Sequence, residues 1–399
     1  MELLYPAEED TVDELGLGRL ADAIADRLYP ATTVLMTRPR YLYLVTAIYR
    51  HLEDAATPPV RFEAELKRLE DRLREALLRR TDEAVIGRRA KENLKRYPSS
   101  IYWRALSQLG FLTAPVSQRQ YLQRLIKRAD YESVTTDDAT SISEEPEGTL
   151  WTNEGGVDAL KALSSIARKG TGSKTAAATT LDLTKREAID LRSRYVESEN
   201  ATLKNSLLAF RLKNPTIKGP DWPWECATTG SPQLAELLWH AERVSTFARG
   251  ATLLYFGLLL DKRKDQAQVQ IVRAAFSRWW VIAAPLLKGW DTDQAVALFP
   301  NTGSVDDSPF LKEWTSTITT ARSGKSAWED GDARTLVRKR DERRAKSRLR
   351  NQMFLQQWDS RIVAREVSSA QQSPYRMTFR HYVSNRVVHD VASALRGRK

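Results

Sequence analysis

Apolar residues recur at steps of three and four positions along almost the whole chain, a spacing that places them on one face of an α-helix. Leu66, Leu69, Leu73 and Leu77 form such a face, with Arg and Glu residues on the opposite side. Residues 41–52 are apolar on nearly every side, which predicts a central buried helix. This periodicity restricts the chain to helical packing over most of its length.

Strand signals are weak by comparison. No run of alternating β-branched residues is long enough for a sheet, and the best strand candidate is residues 375–380, where apolar and polar residues alternate. The sequence therefore predicts an all-α fold. We expect a multi-helix globule of two bundles, with roughly twelve helices in all and a long basic helix near the C-terminus.

One acidic stretch divides the helical pattern. Residues 130–147 contain seven Asp or Glu, no basic residue and few apolar residues, which is typical of an exposed loop or linker. The expected domains are an N-terminal helical bundle (1–129), an acidic linker or loop (130–150), a central helical domain (151–333) and a basic C-terminal helical module (334–399).

The composition excludes several locations for the protein. The longest apolar runs, near 251–260 and 279–287, fall short of the roughly 20 residues that span a bilayer. The N-terminus is acidic and lacks the basic start and apolar core of a signal peptide. Cys226 is the only cysteine, which fits a reducing compartment. We expect a cytoplasmic protein without a membrane partner.

No spacing in the chain predicts a catalytic site. The four His residues are scattered, and together with one Cys they offer neither a zinc-finger site nor a nucleophile constellation. Residues 170–175 and 323–326 imitate a phosphate loop, but neither string follows a hydrophobic strand. Glu65 and Lys67 match half of a metal-nuclease motif, yet they lie in an amphipathic helix. We expect no catalytic residue, no metal and no cofactor.

The charge of the chain is concentrated at one end. The whole sequence carries 62 Lys and Arg against 51 Asp and Glu, a net charge of +11. Residues 334–399 hold 17 basic and 5 acidic residues, whereas residues 1–333 hold 45 and 46. This asymmetry predicts a basic C-terminal module on a nearly neutral body, and it favours a polyanionic partner, most often nucleic acid.

The densest basic segment is RKRDERRAKSRLR, residues 338–350. As a helix it offers only Ala345 and Leu349 to a core, so we expect it to project into water or to lie on a partner. Guanidinium groups match the geometry of phosphate oxygens. The predicted phosphate contacts are Arg338, Lys339, Arg340, Arg343, Arg344, Lys346, Arg348 and Arg350.

Other interpretations of this segment stay open. It can form a solvated helix with pairs such as Glu342 and Lys346, or it can dock on an acidic protein surface. A second group of basic and aromatic residues, in 376–386, adds Arg376 and Arg380 as nucleic-acid-binding candidates. Its alternative, which we favour, places Phe379 in the core and the arginines at the rim.

Arg38 and Arg40 flank Pro39 at the start of the buried helix, where cations oppose the helix dipole. A carboxylate or a phosphate would offset that cost. We expect an internal ion pair with an acid of the N-terminal region, such as Asp13, Glu14 or Asp22.

Several segments together resemble one family, an uncharacterised bacterial group known as the domain of unknown function 6361 family. The longest is residues 13–53, which include LADAIADRLYPATTVLMTRPRYLYLV. The others are residues 93–111, 181–191, 206–210, 221–225, 240–255 and 375–391. The resemblance implies a mostly helical protein. It also implies genes beside those of helicase-like and phospholipase-D-like nuclease proteins in bacterial defence islands, and it supplies no catalytic residue.

These observations support one leading hypothesis. The chain is a non-catalytic, nucleic-acid-contacting accessory subunit of a bacterial anti-phage system, and its basic C-terminal helix binds the phosphate backbone, DNA being the expected nucleic acid. The alternative is a protein-interaction adaptor or scaffold that docks on an acidic surface of a helicase or nuclease subunit.

Overall fold

The computed structural model describes residues 15–79, 84–90, 93–135, 149–152, 156–169, 179–226, 231–299, 307–348 and 360–397. Within these ranges the chain forms 17 α-helices, one short 3-10 helix and no β-strand, so the predicted all-α fold is confirmed. None of the described helices is both long enough and apolar enough to cross a membrane.

The helices differ widely in length. In chain order they are α1 (Gly18–Leu28), α2 (Tyr41–Asp54), α3 (Pro59–Leu78), α4 (Pro98–Gln108), α5 (Gln118–Thr135), α6 (Val157–Lys169), α7 (Lys185–Val196), α8 (Ala201–Lys204), α9 (Leu207–Lys213), α10 (Pro232–Lys262), α11 (Gln266–Leu287), α12 (Thr292–Leu298), α13 (Asp307–Thr320), α14 (Gly324–Glu329), α15 (Gly331–Arg348), α16 (Ser360–Gln372) and α17 (His381–Arg396). The expected number of helices, roughly twelve, was too low. Helices as short as α8 and α14 contain too few apolar residues for a helical periodicity to be recognised in the sequence.

Residues 375–380, the best strand candidate in the sequence, do not form a strand, in agreement with the predicted all-α fold. This segment is an irregular connection that packs on α10 through Ser245. The backbone N–H groups of Arg376 and Met377 donate to the Ser245 hydroxyl oxygen at 3.0 and 2.7 Å. The alternation of apolar and polar residues therefore reflects a chain that is attached to a helix and has no neighbouring strand with which to pair.

The chain packs as two compact units, each built from two separate stretches. Unit 1 consists of Met1–Arg27 and Trp222–Phe379, and unit 2 consists of Leu28–Asp221 and Arg380–Lys399. These units do not follow the predicted divisions at residues 129, 150 and 333. Composition shows where the chain changes charge, whereas a compact unit is set by the helices that bury their faces together. Residues 136–148 of the predicted linker lie outside the described ranges.

Unit 1 is organised around α10. Every residue from Val244 to Leu260 is buried, so this helix is surrounded along most of its length. Gly250 and Gly257 lie directly beneath the rings of Trp279 and Trp328, and a Cβ at either glycine would overlap the indole. Glycine is required there because α11 and α14 approach α10 closely enough for a tryptophan ring to lie on its backbone.

Unit 2 has an aromatic core around Tyr49 of α2. The ring centroids of Phe62, Trp103, Tyr121 and Trp151 lie 5.0–5.8 Å from that of Tyr49. These rings come from α3, α4, α5 and the segment after the acidic stretch. The predicted central buried helix is thus confirmed, since α2 provides the surface on which the other elements of the unit pack.

A buried carboxylate on α3 fixes the start of α4. That helix begins at Pro98 and lacks a capping side chain of its own. Glu70 supplies one from α3, accepting the backbone N–H of Ser99 at 2.7 Å and its hydroxyl at 3.2 Å. Burial raises the pKa of Glu70 to about 7. The two helices are therefore joined by a group that satisfies a free helix-end N–H.

Arg38 and Arg40 form internal ion pairs, as expected, with acids that lie far along the chain. The Arg38 side chain lies 2.6 Å from Asp390 and 2.8 Å from Asp182. Arg40 lies 3.0 Å from Glu187 and also donates to the Thr180 carbonyl. Asp13 and Glu14, two of the expected partners, lie outside the described residues. The acids that pair with the two arginines lie some 140 to 350 residues away, a separation that no local sequence pattern reveals.

Glu187 serves two roles in this cluster. In the sequence, Thr184 and Glu187 have the spacing of a capping box. The Glu187 carboxylate completes that box by accepting the Thr184 backbone N–H at 2.8 Å, and α7 starts there. The same carboxylate pairs with Arg40. Burial raises the pKa of Glu187, while the charge of Arg40 acts in the opposite direction. Arg40 therefore favours the ionised form of a fully buried carboxylate.

We predict that Arg40→Met destabilises the protein by about 3–5 kcal/mol at neutral pH, because Glu187 becomes a buried charge without a partner. Loss of Arg40 removes two influences that lower the pKa of Glu187, its charge and its hydrogen bond, while burial, the largest influence, still raises that pKa. The penalty should therefore shrink as the pH falls and the carboxyl group takes up a proton.

Urea unfolding at pH 7 and pH 5 measures this effect. The matched control is Arg61→Met on the exposed side of α3. An Arg40→Met penalty equal to that of the control, or one that grows as the pH falls, would contradict the proposed role of the pair.

Candidate functional site

The basic helix α15 is anchored in unit 1 along one face. Asp330 starts it by accepting the backbone N–H groups of Asp332 and Ala333 at 3.0 and 2.9 Å. Ala333, Val337 and Arg340 follow at helical spacing and are all buried. The expectation that residues 338–350 lack an apolar face overlooked the turns before them, where the anchoring residues lie.

Contacts with α10 show that the two helices run antiparallel. Arg334, near the start of α15, lies 2.7 Å from Asp261 at the end of α10. Further along, the Tyr255 hydroxyl donates to Asp341 at 3.4 Å. The first half of α15 is thereby fixed at several points, so its exposed side chains project from a supported backbone.

Arg340 does not match its predicted role. Its side chain is buried, and its Nε donates to the Leu15 carbonyl at 2.9 Å and its Nη2 to the Gly16 carbonyl at 3.4 Å. The guanidinium also lies 5.5 Å from the centroid of the Phe310 ring. Arg340 therefore attaches the segment at Leu15 and Gly16 to the rest of unit 1, and it does not present its N–H donors to a phosphate. A count of charges cannot reveal this role, because the carbonyls it satisfies are more than 300 residues away.

Arg338 and Lys339 are accessible, as a contact with a partner would require. Both are exposed, and no hydrogen bond or ion pair joins their side chains to another described residue. Arg343, Arg344, Lys346 and Arg348 lie on the remaining turns of α15, within its described backbone. Arg350 lies outside the described residues. The helix thus presents at least two free cations on a supported backbone.

Arg376 and Arg380 are both occupied within the protein. Arg376 Nε lies 3.7 Å from Glu366 in unit 1, and Arg249 pairs with the same carboxylate at 2.7 Å. Arg380 begins α17 in unit 2 with a left-handed φ of 66°, and it donates to the Thr32 carbonyl at 3.0 Å. Both side chains are half-buried, as the rim interpretation predicts, and Phe379 is buried as that interpretation also requires.

Two of the four histidines, His240 and His381, occupy structural positions. Nδ1 of His240 accepts the Trp290 indole N–H at 3.0 Å, and Nδ1 of His381 lies 2.5 Å from the Tyr29 hydroxyl. Burial lowers the pKa of His381 to about 3, so it is neutral in the folded protein. Among the described residues no group of three or more His, Cys, Asp or Glu could hold a metal ion.

A cavity in unit 2 lies next to the arginine cluster. Its lining includes Thr32, Arg38, Tyr102 and Tyr195, and its volume is about 20 Å³. That volume suits a single water molecule. Pockets that bind substrates are more than ten times larger, typically about 300–1,000 Å³. The cavity is therefore part of the packing around Arg38.

Comparison with known proteins adds a family for the N-terminal third of the chain. Residues 3–138 match the model described as "Family of unknown function (DUF6361)", which confirms the resemblance over this stretch. The match includes Arg38 and Arg40 but none of the ten predicted nucleic-acid contacts. No curated protein and no solved structure matches the chain.

We predict that Arg340→Ala lowers the free energy of unfolding by about 2–3 kcal/mol, because it leaves buried carbonyls unpaired and removes packing against Phe310. The matched control is Arg338→Ala, two residues away on the exposed side of α15, which should change stability by less than about 0.5 kcal/mol. Thermal unfolding of the two variants checks the difference. Equal destabilisation would show that the two arginines do not differ in role.

Proposed function

We propose that the protein binds nucleic acid through contacts to the phosphate backbone and acts as a non-catalytic accessory subunit of a bacterial anti-phage system. The observation that carries the proposal is the presentation of Arg338 and Lys339, which are exposed and unpaired among the described residues on a helix anchored from its opposite face. Four further cations follow on the same helix before it ends at Arg348.

The anchoring favours binding because it reduces the ordering that a ligand must impose. A helix held by Ala333 and Val337 keeps its backbone in place before any partner arrives. Only the rotamers of the long side chains are then lost on binding, at about 0.5–1.5 kcal/mol for each. Arginine forms paired hydrogen bonds with phosphate oxygens, so each contact positions the helix on the backbone without selecting a base.

The cellular context comes from the family resemblance alone. Members encoded beside helicase-like and nuclease-like genes would act on DNA, and a subunit that holds the phosphate backbone would keep the complex on its substrate. Backbone contacts would suit such a role because foreign DNA has no fixed sequence to recognise.

We predict that Arg338→Glu/Lys339→Glu/Arg343→Glu/Arg344→Glu weakens DNA binding at least tenfold, since each lost phosphate contact also removes about one released counterion. Arg340 is left unchanged because it is part of the core. The measurement is fluorescence anisotropy of labelled single- and double-stranded DNA over a salt series.

The matched control is Lys262→Glu/Lys288→Glu/Arg322→Glu/Lys325→Glu, which makes the same change in net charge at exposed positions of the same unit. It should retain most of the affinity. Circular dichroism establishes that both variants are folded. Unchanged affinity of the variant with four substitutions in α15 would reject the basic helix as the binding element.

A second candidate, the protein-interaction adaptor, is favoured by a different surface. Ile271, Val281 and Ile282 lie on one side of α11 and are 45%, 66% and 52% exposed. Large apolar side chains grouped on a helix face are typical of a protein contact. In this alternative a helicase or nuclease subunit covers α11, and an acidic surface of that subunit binds α15.

For the adaptor we predict that Val281→Glu/Ile282→Glu prevents co-purification with a helicase or nuclease subunit encoded beside the gene, in the presence of nuclease. A charge in the centre of an apolar contact leaves a buried, unpaired group. The control is Gln268→Glu/Gln270→Glu, at exposed polar positions of the same helix. Equal recovery of the partner with both variants would remove α11 from the interface.

A further inference from the structure

The two compact units differ sharply in charge, in a way that the linear sequence conceals. Unit 1 contains 25 Lys and Arg and 25 Asp and Glu, so its net charge is zero even though it includes the basic helix α15. Unit 2 contains 37 basic and 26 acidic residues, a net charge of +11. The whole excess of positive charge therefore belongs to unit 2, which contains no residue of the stretch 338–350.

Within unit 2 the exposed cations are most concentrated in the connection between α3 and α4, which we call the 84–97 loop. Its sequence, AVIGRRAKENLKRY, carries five basic residues against one acid, of which Lys91 and the acid Glu92 lie outside the described residues. Arg88, Arg89, Lys95 and Arg96 are all exposed. No hydrogen bond or ion pair joins their side chains to another described residue.

The start of the loop is fixed because its first three side chains are buried. Ala84, Val85 and Ile86 are buried, and the Ile86 backbone N–H donates to the Tyr41 hydroxyl of α2 at 3.1 Å. A turn follows in which the Arg88 N–H donates to the Val85 carbonyl at 3.2 Å. The cations are therefore carried by a backbone that is attached to the core of the unit.

Gly87 is essential to this turn. Its φ of +83° is a left-handed conformation that disfavours other residues, and an added Cβ would come within 2.9 Å of Leu94. The two halves of the loop thus close on one another at this glycine. This contact holds together the segment that carries Arg88 and Arg89 and the segment that carries Lys95 and Arg96.

The acid of α3 that faces the loop is already paired. Asp71 lies 3.1 Å from Arg74 and accepts the Tyr97 hydroxyl at 3.4 Å. Lys67 on the same helix lies over the Tyr97 ring, with its Nζ 5.9 Å from the ring centroid. The described surroundings of the loop therefore supply no carboxylate to its four exposed cations, and they add a further lysine.

We propose that the 84–97 loop is a second nucleic-acid contact surface, which binds phosphodiester backbone through Arg88, Arg89, Lys95 and Arg96. The choice of ligand rests on the proposed function, but the surface itself rests on different residues in a different unit. Three of the four cations are arginines, whose donors fit phosphate oxygens in pairs.

A nucleic acid fits this surface better than an anionic membrane does. Proteins that lie on a membrane insert apolar side chains into the headgroup boundary in addition to their electrostatic attraction. The apolar residues at the start of the loop, from Ala84 to Ile86, are buried in the unit. The exposed part of the loop offers charge and donors, which is what a phosphate backbone requires.

The test uses the full chain and labelled single- and double-stranded DNA, with anisotropy measured from about 50 to 200 mM salt. The loop variant is Arg88→Glu/Arg89→Glu/Lys95→Glu/Arg96→Glu. Its matched control, Lys185→Glu/Arg186→Glu/Lys204→Glu/Lys213→Glu, makes the same change in net charge at exposed positions of the same unit. We expect the loop variant to bind at least tenfold more weakly than the control, with a slope of log K against log salt that is shallower by about 3–4.

Equal affinity of the loop variant and the control would overturn the inference, because net charge and not the loop would then explain binding. If the helix variant at residues 338–344 loses affinity and the loop variant does not, the inference fails and the proposed function stands. If the loop variant alone loses affinity, the inference stands and α15 is not the site. If the unaltered protein binds neither probe at low salt, or binds only phosphatidylserine vesicles, both proposals fail.

Folding of the variants is checked by thermal unfolding. Should the four glutamates prevent folding, the neutral variant Arg88→Gln/Arg89→Gln/Lys95→Gln/Arg96→Gln removes the same contacts without repulsion within the loop. It should lose at least fivefold in affinity, since about four counterion-releasing contacts disappear. A folded neutral variant with unchanged affinity would overturn the inference as well.

Discussion

Two guanidinium groups in the interior of unit 2 require carboxylate partners, and the packing of the unit depends on these ion pairs. Arg38 and Arg40 enter the core at the start of α2, and they remain stable there because Asp182, Glu187 and Asp390 meet them. These pairs fix α2 against α7 and α17. Tyr41 follows directly and receives the Ile86 N–H, so the 84–97 loop is positioned from the same turn. The presentation of a surface that we propose as functional thus depends on an ion cluster in the interior.

Arginine has two opposite roles in this protein, and burial decides which one applies. Arg40, Arg249 and Arg340 are buried, and each satisfies carboxylates or carbonyls of the fold. Arg338 and Arg88 are exposed and unpaired among the described residues. A basic stretch is therefore not a uniform surface. Within α15 an exposed arginine and a buried one stand two residues apart, because a helix turns by about 100° for each residue.

Packing also redistributes charge relative to the sequence. Along the chain the positive charge accumulates after residue 333. In the fold, however, residues 334–379 belong to unit 1, where the acids of the N-terminal segment and of α10 to α15 neutralise their charge. The last helix and its cations join unit 2. A polyanion approaching the protein responds to the charges that are close together in space, within about 10 Å at ordinary salt. Clusters of exposed cations that lie together in the fold are therefore more relevant to a binding hypothesis than the charge of a stretch of sequence.

The sequence by itself determined the helical class, the buried character of α2 and the capping of α7 at Thr184, because periodicity and capping act over a few neighbouring residues. It also showed that Arg38 and Arg40 need carboxylate partners. Only the tertiary structure decided which acids those are, that Arg340 is internal, and which stretches form each unit. Those outcomes join residues separated by more than 100 positions, and no local pattern encodes such a pairing.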